Sequence, residues 1–189
     1  LQALLFQDGG LTALGANVLN MAIIAPAVAA TVAAAVARVF GTSPRARLLA
    51  AGFAAWCSTV AAAVACAGEL AASGTVAWSA VLPAMGGVHM LIGLGEAVIT
   101  MLVVASVGRL RPELLAPAPA VARATGPVVV GGLLVAFAFV AFVAPFACGW
   151  PDGLEHVAEA LGFAPAARAP AFEAPWGDYV RSEERRVGK

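Results

Sequence analysis

The 189 residues carry 11 Lys and Arg against 11 Asp and Glu, so the formal net charge is zero and no electrostatic case for nucleic acid exists. Hydrophobic residues make up 61% of the chain and charged residues 12%, about half the charged share of a soluble domain. That balance, with a mean hydropathy of +0.90, excludes an ordinary water-soluble globule.

In chain order, Leu1–Phe6 reads as the tail of a helix begun upstream, and no signal peptide is visible, so a fragment of a longer protein is expected. Gly9 and Gly10 are expected to turn the chain into a first apolar stretch, about Leu11–Phe40. Three more follow at about Leu48–Ala71, Val81–Val107 and Gly126–Ala147. Each has the ~20 residues that a helix needs to cross a bilayer. Arg38, Arg45 and Arg47 follow the first stretch, Arg109, Arg111 and Arg123 follow the third, and the intervening Ala71–Ala80 carries no charge. Arginine-rich loops stay cytoplasmic, so the first and third loops are expected inside and the second outside, with both ends of the chain outside. The expected fold class is all-α: a polytopic integral membrane helix bundle of about four transmembrane helices.

Polar residues within these stretches need a reason, because a charge at the bilayer centre costs roughly 2.5–3.5 kcal/mol on insertion scales. In the first, Asn17 and Asn20 share a face at i, i+3, with Asp8 and Thr12 nearer the outer surface. They are expected to turn inwards, as orienting groups for a ligand or as interhelical hydrogen bonds. Ala29, Ala33 and Ala37 repeat at one-turn spacing, which permits close helix approach. In the third, GGVHMLIGLGEAVIT places His89, Gly93, Glu96 and Thr100 at i, i+4, i+7 and i+11, one face of a helix. That stripe is expected to face the protein interior. It reads either as a polar path or ion site, with His89 a candidate metal ligand near the outer end, or as hydrogen bonding that holds the bundle together.

After the last stretch comes CGWPDGLEHVAEALGF. Asp152 fits a helix N-cap, Glu155 completes a capping box, and Gly162 fits the stop. Leu154, Val157, Ala158 and Leu161 mark one apolar stripe, so a short amphipathic helix is expected on the extracytoplasmic side. His156 falls on its polar side, where a solvated imidazole is the expectation. Ala164–Pro175 reads as an extended or disordered segment, and Arg181–Lys189 as a solvated or foreign tail. Cys57, Cys66 and Cys148 form no CxxC pair and read as structural thiols. Catalytic motifs are absent: there is no GxSxG, no HExxH and no phosphate loop, and Lys189 is the one lysine. No enzyme is expected here, and ATP hydrolysis would have to come from separate subunits.

The stretches LLFQDGGLTALGANVLNMAI and LPAMGGVHMLIGLGEAVIT resemble the substrate-binding membrane component of cobalt/nickel energy-coupling-factor transporters, the CbiM/NikM family. Pro151–Glu155 (PDGLE), with the later PWGDYV, resembles the CbiN/NikN-type accessory module. The two in one chain resemble the fused form. The resemblance implies residues 1–110 as the CbiM/NikM-like component, 111–125 as a cytoplasmic linker, 126–180 as the PDGLE module and 181–189 as a tail. It implies uptake of Co2+ or Ni2+ across the inner membrane of a bacterial or archaeal cell, with no permanently bound cofactor. Its partners would be the lipid bilayer, a transmembrane coupling subunit and ATPase subunits. The family's metal is held by an N-terminal Met-His segment and a further histidine, both before Leu1. Asn17, Asn20, His89 and Glu96 match family positions on the helices around the site, and His89 is the one candidate ligand within the chain. Two rival readings are a proton-coupled secondary transporter using His89 and Glu96 as a relay, which requires an internal repeat that the chain does not show, and a membrane enzyme using them as acid and base.

Overall fold

The computed structural model describes residues 13–112, 126–142 and 150–166, and among these it contains helices and turns but no strand. Helix α1 runs Leu14–Phe40, in three registers: an α-helical turn at Leu14–Asn17, a π-helical segment at Val18–Ile24, and regular α-helix over Ala25–Phe40. Pro26 sits at the last of these junctions. Lacking an N–H and crowding the carbonyl four residues back, it is accommodated by the wider turns before it. Gly41 stops α1 with φ 76°.

Helix α2, Pro44–Ala72, starts on Ser43, whose hydroxyl accepts from the Ala46 N–H at 3.2 Å, with Pro44 in the first turn where no N–H is needed. Nε of Arg47 donates to the Thr42 carbonyl at 2.9 Å, so the basic turn is tied to its own backbone. Gly74, also at φ 76°, closes the opposite turn. Helix α3 follows at Trp78–Leu110, α4 at Gly126–Phe142 and α5 at Gly153–Leu161.

Among the described residues three helices, α1 to α3, are long and apolar enough to cross a membrane. The described part of α4 has 17 residues, about 25 Å at 1.5 Å per residue. The remainder of the expected fourth stretch, 143–147, lies outside the described residues, as do Asp8, Gly9, Gly10 and Thr12. Of the segment read as extended, Ala164–Ala166 forms one 3-10 turn and 167–175 lie outside the described residues. The chain divides into two units, one holding residues 13–115 and 151–169, hence α1, α2, α3 and α5, and the other holding α4.

Within the first unit, α1 packs on α2 and α2 on α3. The buried residues of α2 are small: Ala46, Ala50, Gly52, Ala54, Ala63, Ala67 and Ala71. Opposite them α3 buries Val81, Met85, Gly93 and Ala97. Ala29, Ala33 and Ala37 are half-buried on α1, whose outer positions Met21, Ile23 and Val39 are more than half exposed. Leu49, Phe53, Leu91, Leu94, Ile99 and Leu102 give the unit an apolar exterior of the kind that lipid solvates. Gly93 marks a close crossing of α2 and α3. A Cβ there would stand 2.9 Å from Cδ1 of Trp56 and 3.4 Å from its backbone oxygen. The same Trp56 donates its indole N–H to the Met90 carbonyl at 3.0 Å.

Gly93→Val should therefore separate the helices and destabilise the protein by roughly 1–3 kcal/mol, the usual cost of overpacking. Gly87→Ala, on the same helix with nothing within 4 Å of its added carbon, should be neutral or stabilising by up to about 1 kcal/mol. Thermal melts of both variants in detergent test the pair. A melting point unchanged by Gly93→Val would remove this crossing as a constraint.

Candidate functional site

The polar groups of the first unit gather at the end of the bundle away from the arginine turns. There the π-helical part of α1 packs on α2, and α5 lies over the last turns of α2 and the first turns of α3. The PDGLE segment builds α5 from its first residue. Asp152 Oδ1 accepts from the Glu155 N–H at 2.8 Å, while Glu155 Oε2 accepts from the Asp152 N–H at 3.1 Å, a reciprocal capping box. Gly162, left-handed at φ 76°, ends the helix, and the Phe163 N–H returns to the Ala158 carbonyl at 3.0 Å. The capping residues and the stop are those expected from the sequence. Val157 and Ala158 carry the buried face, and Val157 joins Ala63, Ala67, Ala71, Val81 and Met85 in one cluster. Leu154 and Leu161 lie at its margin, a little over a third exposed, and His156 is exposed.

The glycine of this segment faces His89. A Cβ at Gly153 would stand 2.7 Å from Cε1 and 2.8 Å from Nε2 of His89, and 2.8 Å from Cδ1 of Ile92. No side chain fits there, so the PDGLE turn admits the imidazole only because its third residue is glycine. Nδ1 of His89 lies 2.9 Å from the Met85 carbonyl. That oxygen can only accept, so Nδ1 carries a proton, and in the neutral tautomer the lone pair is on Nε2, on the side of the α5 backbone. In the neutral ring Nε2 is thus the nitrogen suited to a metal ion at ~2.0–2.1 Å, and it lies on the side of α5 at Gly153.

Asn20 is buried within the π-helical segment, and its amide donates from Nδ2 to Oε2 of Glu69 on α2 at 3.0 Å. Its Oδ1 is buried with no hydrogen-bond partner among the described residues. Asn17, one turn earlier, is half-buried. Glu69 was not anticipated from the sequence. It is the one acidic residue in its stretch, which is a signal, but it lies one turn from the helix end, where a carboxylate can pass for an interfacial group. Cys66 sits one turn before it, within electrostatic reach of both Glu69 and Asp152.

Glu96 stands apart from these groups. It is exposed on α3, while its neighbour Ala97 is buried, and Thr100 is half-buried. The four residues expected on one inward stripe are therefore divided: Gly93 is buried against Trp56, His89 lies against Gly153, and Glu96 looks away from α2. Among the described residues no group of three or more His, Cys, Asp or Glu side chains converges on a point that could hold a metal ion.

Residues 1–114 match the family model described as the cobalt uptake substrate-specific transmembrane region, CbiM. A fused nickel transport protein NikMN of Rhodobacter capsulatus is 40% identical over 131 residues, covering 62% of this chain and 38% of that protein. A putative fused nickel transport protein NikMN of Archaeoglobus fulgidus is 34% identical over 184 residues, covering 95% of this chain and 58% of that protein. The chain thus spans well under two thirds of the length of either relative. No solved structure matches it.

The His89–Gly153 contact makes a direct prediction. In a background with Cys57, Cys66 and Cys148 replaced by Ala, a cysteine at the buried position 157 should react slowly with a maleimide. Adding Gly153→Ala, whose methyl collides with the imidazole, should lift α5 and raise the rate at position 157 several-fold. An unchanged rate would show that α5 and His89 accommodate a side chain without moving.

Proposed function

The chain belongs to the CbiM family, and from that premise we propose that it is the metal-capturing membrane part of a divalent Co2+/Ni2+ uptake system, working with a transmembrane coupling subunit and separate ATPase subunits. The observation that carries this reading is the order of two features in one chain: the family match over residues 1–114, then a PDGLE helix that packs on the helices of that same region. The names of the NikMN relatives support the nickel or cobalt cargo. The division of residues 1–110 as the substrate component, 111–125 as a linker and 126–180 as the accessory module belongs to the same proposal.

The PDGLE helix is extracytoplasmic in this reading. Two independent facts support that side. The arginines at 38, 45, 47, 109 and 111 cluster at the opposite ends of α1, α2 and α3, and α5 covers Ala63, Ala67, Ala71, Val81 and Met85 at the arginine-free end. Asn17, Asn20 and His89 then lie where an ion arrives from outside, and His89 offers Nε2 to it when α5 is lifted. Glu96 serves another purpose. Exposed on α3, it is placed for contact with a neighbouring helix of the assembled transporter, whose apolar surroundings would require a polar partner for it. A proton relay from His89 to Glu96 gains no support from that separation.

Uptake of radioactive nickel by cells carrying the whole protein tests the proposal. Uptake should require the coupling and ATPase subunits, and an ATPase variant unable to hydrolyse ATP should abolish it. Nickel uptake that persisted without them and collapsed with the proton gradient would overturn the reading in favour of secondary transport. Topology is checked on the same cells: cysteines at Ser73 and Ala166 should be labelled from outside, and one at Ser43 should not.

A further inference from the structure

Asn20 and Glu69 bring together oxygen acceptors for which the described residues supply a single donor. Asn20 is 6% exposed. Its amide is oriented by the carboxylate: Nδ2 must face Glu69, because two acceptor oxygens repel, and this leaves Oδ1 buried and without a donor among the described residues. A buried carbonyl oxygen kept without a partner in a helix bundle is costly and asks for an occupant. Among the described residues the Glu69 carboxylate has the Asn20 amide as its hydrogen-bond partner and no basic side chain to balance its charge. The local helix is π-helical over Val18–Ile24, with the Ala25 N–H bonded to the Asn20 carbonyl, a widened turn of the kind found at functional sites.

This geometry defines the chemistry of what fits. A carboxylate and the acceptor oxygen of the amide bonded to it, both short of donors among the described residues, select a cation that is itself rich in donors. They do not select a bare transition-metal ion, since no three His, Cys, Asp or Glu side chains converge among the described residues. A hydrated divalent ion meets the requirement, because water bound to a metal is a more acidic, stronger donor than bulk water. We infer that Asn20 and Glu69 form an outer-sphere subsite, which holds the incoming divalent ion with its water shell intact, through hydrogen bonds from coordinated water to Asn20 Oδ1 and the Glu69 carboxylate. The inference rests on the reading of the chain as a metal-uptake component, and it places the hydrated ion one step before nitrogen ligands displace its water.

Hexaamminecobalt(III) is the probe. Its six ammonia ligands exchange too slowly to be replaced, so it binds through N–H donors alone and cannot enter an inner-sphere site. Calorimetry on the whole protein in discs of uncharged lipid should detect its binding, and it should compete with Ni2+ in initial-rate uptake. Glu69→Gln, which keeps the shape and removes the charge, should weaken hexaamminecobalt(III) binding roughly tenfold or more, the scale of hydrogen bonds to a charged group. Asn20→Leu should weaken it about as much, and Asn20→Asp, which retains an acceptor, should restore it. Unchanged helicity and melting point of Glu69→Gln separate this loss from misfolding. Binding that is equal in wild type, Glu69→Gln and Asn20→Leu would overturn the subsite, because the probe would be held elsewhere. Nickel uptake without any hexaamminecobalt(III) binding would overturn the subsite alone, leaving Oδ1 to an ordinary water. Failure of both uptake and binding would overturn the subsite together with the functional reading.

Discussion

Everything in the first unit depends on how closely α2 and α3 can approach. In lipid, burial of apolar surface does not drive helices together, because the tails outside are as apolar as the side chains inside. Association then relies on contact between backbones and on hydrogen bonds that cross between helices. The chain meets that constraint with alanine at every buried position of α2 except Gly52, and with Gly93 and Ala97 on α3. At Gly93 the indole of Trp56 lies where a side chain would be, and from there its N–H reaches a backbone carbonyl of the facing helix. The approach and the hydrogen bond are one feature: a residue larger than glycine would remove both.

Close approach also explains where the polar groups collect. Bonds that cross between helices need short side chains to meet across a narrow gap, and Asn20 reaches Glu69 because α1 runs close along α2 there. The same end of the bundle is then covered by α5, again through a glycine. Gly153 repeats over His89 what Gly93 does under Trp56: it lets a ring occupy the space of a missing Cβ. Three of the five PDGLE residues thus have a physical reading. Asp152 and Glu155 fix the helix start, Gly153 makes room for the imidazole, and Val157 and Ala158 behind it supply the buried contact.

Three of the expected spans and the capped helix were legible in the sequence because each rests on local signals: apolar length, an Asp-x-x-Glu box and a closing glycine. The ends of α2 and α3 agree with the expected ones to within four residues. What was not legible depends on partners. Glu69 and Asn20 are 49 positions apart, and nothing in either local pattern announces the other. The fit of Gly153 to His89 is invisible until α5 is placed on α3. Glu96 shows a different limit. It falls within about 20° of His89 on an ideal helical wheel, which is why the two read as one face. The buried line on α3 instead follows Val81, Met85, Gly93 and Ala97. Packing through residues four apart advances about 40° per step, so the contact drifts round the helix. By Ala97 it has turned well away from the side that carries Glu96.

The polar groups offer two kinds of donor. Asn20 on α1 and Glu69 on α2 supply oxygens, suited in the proposed reading to an ion that still carries its water. His89 directs Nδ1 to the Met85 carbonyl, which leaves Nε2 of the neutral ring as the kind of ligand that competes well for Ni2+ or Co2+ once water is shed. Oxygen-donor contact is weak and readily reversed, while nitrogen coordination is tighter and slower to release, so in the proposed reading an order of oxygen first and nitrogen second would move an ion downhill. The glycine contact of α5 adds a condition to that order. Gly153 of the docked α5 stands against the imidazole of His89, on the side of Nε2. If, in the proposed reading, an ion competes with α5 for that nitrogen, then whatever favours the ion at His89 must loosen α5, and whatever seats α5 must weaken the hold of His89 on the ion.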